Sequence, residues 1–206
     1  MIVTGIQELT KTRSRIEIDG EFAFVLYKGE LRLYHVMQGK ELQQKDYDKI
    51  MTEILPKRAA QRAMNLLLKR DYTTQQLSEK LRSGGYPPDI VSKALEYVAS
   101  FHYTDDLRYA SDYISCNYEK RSRTRIEQDL RRRGITEEVL EKAWRQWEQS
   151  GGEQDEKKMI RELLQKRGYY TREAALKEKQ REYGYLIRKG FGSEAVMAVL
   201  FDKNTE

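Results

Sequence analysis

The sequence has little of what disulfide-bonded, secreted or membrane proteins need. Its single cysteine, Cys116, excludes an internal disulfide framework and is typical of a reducing compartment. The N-terminus lacks the basic and then apolar pattern of a signal peptide, and no apolar run approaches the roughly 18–20 residues that span a bilayer. We therefore expect a soluble, cytoplasmic protein with no membrane partner.

Residues for catalysis or metal binding are also scarce. The two histidines, His35 and His102, are far apart and have no metal-ligand spacing around them. Gly39-Lys40 lacks the remaining residues of a phosphate-binding loop. Asp105-Asp106 could be a carboxylate pair, but a helix cap ahead of Leu107 is the better interpretation. We expect no catalytic residue, no cofactor and no metal ion, and hence a protein that is not an enzyme.

What the sequence does contain is one motif written three times. A glycine past the end of a helix supplies the left-handed conformation that a Cβ disfavours, and the apolar residue after it can fold back onto that helix. After each glycine, apolar residues recur at the same offsets, which indicates that another helix follows. The copies are Leu81-x-x-x-Gly85-Tyr86, Leu130-x-x-x-Gly134-Ile135 and Leu186-x-x-x-Gly190-Phe191. This pattern predicts a helical repeat protein.

Start signals support the helices of the first two copies. Thr73 with Gln76 forms a capping box, and Pro87-Pro88-Asp89 and Thr136-Glu137-Glu138 each open a further helix. The third copy is the weakest match, because Glu182 stands where an apolar residue stands in the other two. We expect Tyr183 and Ile187 to provide the inward face there instead.

The N-terminal region has the alternation of β-strands. Asp19-Gly20 is a two-residue hairpin signal, and Leu31 and Leu33 indicate another short strand after it. The alternating apolar residues are Ile16 and Ile18 before the turn and Phe22, Phe24 and Leu26 after it. A lone hairpin is marginal in water, so it should pack on the helices that follow.

The net charge of +5 is concentrated in the middle copy. Seven basic residues stand against Glu127 and Asp129 within 120–133, which favours an anionic partner over a merely solvated face. Arg121, Arg125 and Arg132 fall near one helical face, whereas Arg123 and Arg131 point elsewhere. The candidate binding residues are Lys120, Arg121, Arg123, Arg125, Arg131, Arg132 and Arg133, with Arg70 in the first copy and Arg188 and Lys189 in the third.

Five arginine–phosphate contacts would weaken binding about 500-fold between 50 and 200 mM salt. Several tyrosines could also stack on nucleobases, although most lie at apolar helical positions, where packing is the better default. These tyrosines are Tyr72, Tyr86, Tyr103, Tyr109, Tyr113 and Tyr118.

Three blocks together resemble a known family, the RecX regulators of the RecA recombinase. The order and spacing of the blocks agree with the family over nearly the whole chain, most strongly over 58–145, and 188–191 resembles the end of the third repeat. The blocks are Arg70-Asp71-Tyr72-Thr73-Thr74-Gln75-Gln76-Leu77, then Phe101-His102-Tyr103-Thr104-Asp105-Asp106-Leu107-Arg108-Tyr109-Ala110, then Ile126-x-x-x-Leu130-x-x-x-Gly134-Ile135.

The resemblance implies a mainly α protein of three tandem three-helix repeats in an elongated, curved array, with a small N-terminal β-hairpin extension. The boundaries we predict are 1–55 for an extension made of the β-hairpin and a helix, and 56–105, 106–152 and 153–206 for the repeats. The implied function is non-enzymatic: a monomer that binds the RecA–single-stranded DNA filament and mostly inhibits its ATPase, strand-exchange and coprotease activities, in DNA repair and the SOS response. A helical-repeat protein that binds DNA or RNA without RecA, and an adaptor for an acidic protein, remain alternatives.

Overall fold

The computed structural model of the protein describes residues 1–169 and 176–201. The chain divides into two compact units between Asp105 and Asp106.

The first unit begins with a three-stranded antiparallel sheet in the order β1-β2-β3. Its strands are β1 (Val3–Thr10), β2 (Arg13–Ile18) and β3 (Glu21–Tyr27). Asp19 and Gly20 join β2 to β3 with positive φ angles of 50° and 90°, as a tight hairpin turn requires. The predicted hairpin is thus confirmed, and β1 adds a strand to its free side.

One side chain of the hairpin faces the opposite way from our prediction. The pairing of β2 with β3 shifts between Ile16 and Glu17, which pair with Phe24 and Phe22. Such a bulge inserts one residue into a strand and reverses the side-chain alternation beyond it. Phe24 is therefore buried, whereas Phe22 is exposed beneath the guanidinium of Arg15, 4.4 Å from its ring centroid.

The prediction of a strand at Leu31 and Leu33 is wrong, because α1 (Lys28–Leu33) is a helix. Glu30 explains the start of this helix: its carboxylate accepts a hydrogen bond from the Tyr27 backbone N–H at 2.7 Å and pairs with Arg58 at 2.7 Å. A carboxylate in the first turn satisfies an N–H that lacks a helical acceptor.

A helical stretch then leads into the first repeat. It comprises α2 (Gln44–Lys49), a π-helical turn (Ile50–Ile54) and α3 (Leu55–Leu67). Pro56 has no N–H to donate and its ring crowds the preceding turn, so the wider π turn lets the chain pass it without ending the helix.

The first repeat consists of α3, α4 (Thr74–Arg82) and α5 (Pro88–Ser100), with α3 packed on α5. The predicted capping box is present, and Thr73 Oγ1 accepts from Gln76 N at 3.2 Å. Ile16, Phe24 and Leu26 of the sheet share one core with Leu55 and Leu81 of the helices. The hairpin therefore does pack on the helices, as predicted.

The second unit contains the other two repeats. Repeat two is α6 (Asp106–Asn117), α7 (Arg123–Arg131) and α8 (Glu137–Gln149), and repeat three is α9 (Glu156–Lys166), α10 (Leu176–Arg188) and α11 (Ser193–Phe201). Each has its own apolar core, and in each the first helix packs on the third. Asp106 lies in the first turn of α6, in agreement with its predicted role at a helix start.

The thrice-repeated glycine ends each second helix in the same way. Gly85, Gly134 and Gly190 have φ angles of 84°, 84° and 86°. Each N–H donates to the carbonyl three residues back, and the next residue donates to the carbonyl five residues back. These two bonds define a Schellman motif. The apolar residues that follow, Tyr86, Ile135 and Phe191, are buried, so the prediction that they fold back is confirmed.

The expected replacement of Glu182 in repeat three is confirmed for Tyr183, which packs on the core of that repeat, and is wrong for Ile187. Glu182 itself is only 2% exposed, whereas Ile187 is 37% exposed. The carboxylate is held by Arg167, whose Nε and Nη2 donate to it at 2.7 and 3.1 Å, and by Arg181 Nε at 3.3 Å. The hydrogen bond from Arg167 lowers the pKa of Glu182. A buried carboxylate is tolerated because this paired arginine compensates its lost hydration.

Candidate anion-binding surface

Five cationic side chains of repeats two and three line one groove of the second unit. The groove has a volume of about 450 Å³, and none of its lining residues is acidic. The lining residues are Lys120, Arg121, Ser122, Arg125, Leu163, Arg188, Lys189 and Phe191. Like charges that converge in a concave surface raise the local concentration of anions. The structure thus brings together Lys120, Arg121 and Arg125 with Arg188 and Lys189, which the sequence placed in different repeats.

A close contact between the Ser122 side chain and the backbone of Lys189 and Gly190 holds the two sides of this groove together. Ser122 caps α7 by accepting from Arg125 N at 3.3 Å, and its hydroxyl donates to the Lys189 carbonyl at 2.9 Å. Gly190 lies so close that a Cβ there would be 2.8 Å from Ser122 Oγ. Glycine at position 190 is therefore needed for two reasons: it adopts the left-handed turn, and its lack of a Cβ lets α7 approach. We call this contact the Ser122–Gly190 clasp.

One carboxylate organises the predicted arginine face. Asp129 is buried and pairs with Arg121, with Arg125 at 3.5 Å and with Arg132 at 3.9 Å. Tyr113 adds a hydrogen bond to it at 3.4 Å. The three arginines do share a side of repeat two, although Arg121 precedes the first residue of α7. Asp129 offsets part of their charge and fixes their direction.

Arg123 and Arg131 belong to a different cluster, centred on Glu127. Arg123 pairs with Glu127 at 3.1 Å and with Glu148 at 2.8 Å. Arg131 pairs with Glu127 at 3.4 Å and with Glu137 at 2.7 Å, and its hydrogen bond lowers the pKa of Glu137. Neither arginine lines the groove. Carboxylates within the same repeat therefore already satisfy much of their charge.

Three of the groove cations contrast with that cluster. In the described part of the chain, no carboxylate lies within ion-pair distance of Lys120, Arg188 or Lys189. The charges of Lys120 and Arg188 are therefore available to an external anion, and so is that of Lys189, whose ammonium group lies as far as 5.6 Å from the Tyr185 ring centroid. Ion pairing thus separates the predicted basic residues into those that have a carboxylate partner and those that have none, a distinction that the sequence did not show.

The remaining candidates lie outside the groove. Arg133 lies over the ring of Tyr113, 4.2 Å from its centroid, and donates to Tyr109 Oη at 2.8 Å. Arg70 belongs to the first unit, where it covers the ring of Tyr72 at 4.3 Å. These cation–π contacts give both arginines a role in packing.

The roles of Asp129 and Ser122 were not predicted from the sequence. A signal for the first was present, because Arg125 and Asp129 are four residues apart, the spacing of side chains that meet on a helix. Ser122 stands directly before the helical pattern, as an N-cap does. No spacing could show its bond to Lys189, because that contact depends on how repeats two and three pack.

The structure offers no competing metal site among residues 1–169 and 176–201, where no three potential metal-binding side chains cluster. In the same residues, no helix combines the length and apolarity that crossing a membrane requires.

Comparison with known proteins matches all three repeats to one family. Models of the first, second and third three-helix domains of RecX match residues 59–97, 105–143 and 154–200. Regulatory protein RecX of Caldanaerobacter subterraneus is 27% identical over 97% of this chain and 98% of the relative. The RecX of Trichlorobacter lovleyi is 31% identical over 68% of this chain and 92% of the relative.

Solved structures agree with these matches. A crystal structure of regulatory protein RecX has a TM-score of 0.63 and 25% identity, over 98% of this chain and 99% of its own. RecX from Lactobacillus salivarius, at 18% identity, shares the fold with a TM-score of 0.61 over 72% of this chain and 96% of its own. The resemblance and the fold of three-helix repeats are confirmed: the chain belongs to the RecX family of regulatory proteins.

Proposed function

We propose that this protein binds the RecA–single-stranded DNA filament and modulates, mostly inhibits, its ATPase, strand-exchange and coprotease activities without catalysing a reaction. The groove of repeats two and three is the observation that carries the proposal. It presents five cations and no lining carboxylate, as a surface that meets a polyanionic filament requires.

Distributed contacts fit this mode of action better than a pocket does. The cations come from two repeats, and Lys120, Arg188 and Lys189 lack a carboxylate partner among the described residues. Contacts from linked modules add through effective concentration, so several weak ones can hold a ligand on a filament. We therefore propose a stoichiometric ligand that acts by occupying the filament, in the cytoplasm and as a monomer.

The test is RecA-dependent ATP hydrolysis on single-stranded DNA with sub-stoichiometric protein, combined with co-sedimentation. We expect a lower hydrolysis rate and recovery of the protein with the filament. No change in rate at any ratio, together with no co-sedimentation, contradicts the proposal.

Two sets of variants locate the effect. Arg125→Gln with Arg188→Gln removes two groove cations, whereas Arg123→Gln with Arg131→Gln removes the same charge from the Glu127 cluster. Inhibition should weaken for the first pair and stay close to wild type for the second. If both pairs of substitutions weaken inhibition equally, the effect depends on net charge alone.

A nucleic-acid-binding role without RecA is the second candidate, because the same groove would accept phosphates of free DNA or RNA. Tight binding to free single strands with a steep salt dependence, and no effect on RecA, would favour it. Binding to an acidic protein that survives loss of the groove cations would favour an adaptor.

A further inference from the structure

The first unit exposes three aromatic rings that contact one another. Tyr97, Phe101 and Tyr103 are 45%, 52% and 50% exposed. Phe101 and Tyr103 stack with their centroids 5.7 Å apart and 20° between their planes, and Tyr97 meets Phe101 edge-on at 5.1 Å. Single exposed aromatic residues are common, but a contiguous group indicates a binding surface.

The other tyrosines considered for base stacking are engaged in packing. Tyr72 and Tyr86 are buried, and Tyr109 and Tyr113 pack on the core of repeat two. Tyr118 lies against Trp147 with 5.1 Å between the ring centroids. Tyr103 is the exception among the predicted candidates, and its neighbours Tyr97 and Phe101 complete the group.

The backbone holds the stacked pair in place. His102 has a φ of 55°, which is unusual for a residue with a Cβ. His102 N donates to Ala99 O at 2.9 Å and Tyr103 N donates to Val98 O at 3.0 Å, closing the end of α5. Phe101 and Tyr103 therefore flank a turn whose backbone is fixed by hydrogen bonds, so little backbone freedom remains to be lost when a ligand binds.

A cationic groove adjoins the rings. It lies between α3 and α5, has a volume of about 410 Å³ and contains no acidic lining residue. Its lining residues are Pro56, Lys57, Ala60, Gln61, Met64, Lys93 and Tyr97. Tyr97 belongs to both features, so the ring group continues into a groove that Lys57 and Lys93 also line. In the described residues, neither lysine has a carboxylate within ion-pair distance.

We propose that Tyr97, Phe101 and Tyr103 form a stacking surface for the unpaired bases of single-stranded nucleic acid, with Lys57 and Lys93 on its phosphates. A near-parallel ring pair can be extended by another planar ring, and the lysines complement a backbone that carries one negative charge per nucleotide. Aromatic rings beside cations are the combination by which proteins hold single strands irrespective of sequence. This surface goes beyond the proposed function, because it belongs to the first unit and contacts bases, whereas the groove of repeats two and three contacts phosphates.

The experiment measures fluorescence anisotropy of the full-length protein, without RecA, on two labelled strands. One is an oligothymidylate of about 20 nucleotides, and the other is an abasic strand of equal length with the same phosphates. Wild-type protein should bind the oligothymidylate more tightly. Equal affinities for the two strands overturn the proposal without any variant.

Substitutions then assign the difference to the rings. Phe101→Leu and Tyr103→Leu should each weaken oligothymidylate binding about 5- to 150-fold and leave abasic binding unchanged. Phe22→Leu removes an exposed ring of the same unit outside this surface and should change neither affinity. Equal weakening on both strands, or unchanged oligothymidylate binding together with lost filament binding, overturns the proposal. The latter result would assign the rings to a protein partner.

Discussion

Gly190→Ala should weaken the second unit more than Gly151→Ala, a glycine substitution of the same backbone type. A Cβ at a φ of 86° costs about 1 kcal/mol, because side chains crowd the backbone in the left-handed region. The new methyl group would also lie 2.8 Å from Ser122 Oγ and 3.3 Å from Arg125 N, so α7 must move. Overpacking of this kind costs about 1–3 kcal/mol. The expected total is about 2–4 kcal/mol of unfolding free energy.

Gly151→Ala is the matched control in the same unit. Gly151 has a φ of 88°, and its Cβ would meet no atom within 4 Å. This variant therefore carries the backbone cost alone, about 1 kcal/mol. The difference between the two variants measures the Ser122–Gly190 clasp.

The assay is urea denaturation followed by circular dichroism, with the m value checked for constancy. A double variant, Gly190→Ala with Ser122→Gly, removes the obstructing hydroxyl and should lose less stability than the sum of its single changes, since glycine caps a helix almost as well as serine. The clasp does not restrain α7 and the end of α10 if Gly190→Ala and Gly151→Ala lower stability equally. The same conclusion follows if the loss in the double variant equals the sum of the two single losses.

Three further predictions concern charge and capping. Arg125→Gln with Arg188→Gln should make the salt dependence of single-strand binding shallower by about 1.4 in log–log slope, about 0.7 per lost phosphate contact, and an unchanged slope in anisotropy titrations would place these residues outside the interface. Glu182→Gln should cost about 1–2 kcal/mol near neutral pH, discounted because Arg167 is partly exposed. The folded pKa of Glu182 is lowered, so its contribution is present above the unfolded pKa of about 4.3 and is lost as pH falls through the folded value. Thermal melts between neutral pH and about pH 3 should therefore converge for wild type and Glu182→Gln, and parallel curves would refute this. Thr73→Ala removes the cap of α4 and should cost about 1 kcal/mol in urea denaturation, whereas no loss would mean that Gln76 and solvent suffice.

Local rules determined much of the fold. The three glycines, the Thr73 box and the Asp19-Gly20 turn each act within a few residues, through the sterics of φ or one hydrogen bond. The sequence therefore placed the helix ends and the hairpin, and the three copies identified a repeat protein before any contact was known.

Non-local contacts account for the errors. Phe22 was assigned to the wrong face because a bulge depends on how β3 pairs with β2. Apolar residues were expected to provide the inward face in place of Glu182, because a carboxylate is costly to bury. Arg167 lies 15 residues away along the chain and stabilises the buried carboxylate, and its approach depends on where α9 and α10 lie within repeat three.

The candidate surface shows the same division. Composition and helix-end signals were enough to show that repeat two carries an excess of arginine and that Arg188 and Lys189 end a helix of repeat three. Which of these charges act together depends on the packing of the repeats. The tertiary structure placed Arg123 and Arg131 on Glu127 and gathered Lys120, Arg121 and Arg125 with Arg188 and Lys189 around the Ser122–Gly190 clasp. The physical reason is range: a residue type and a helix end are local properties, whereas an ion pair or a groove exists only once distant segments meet.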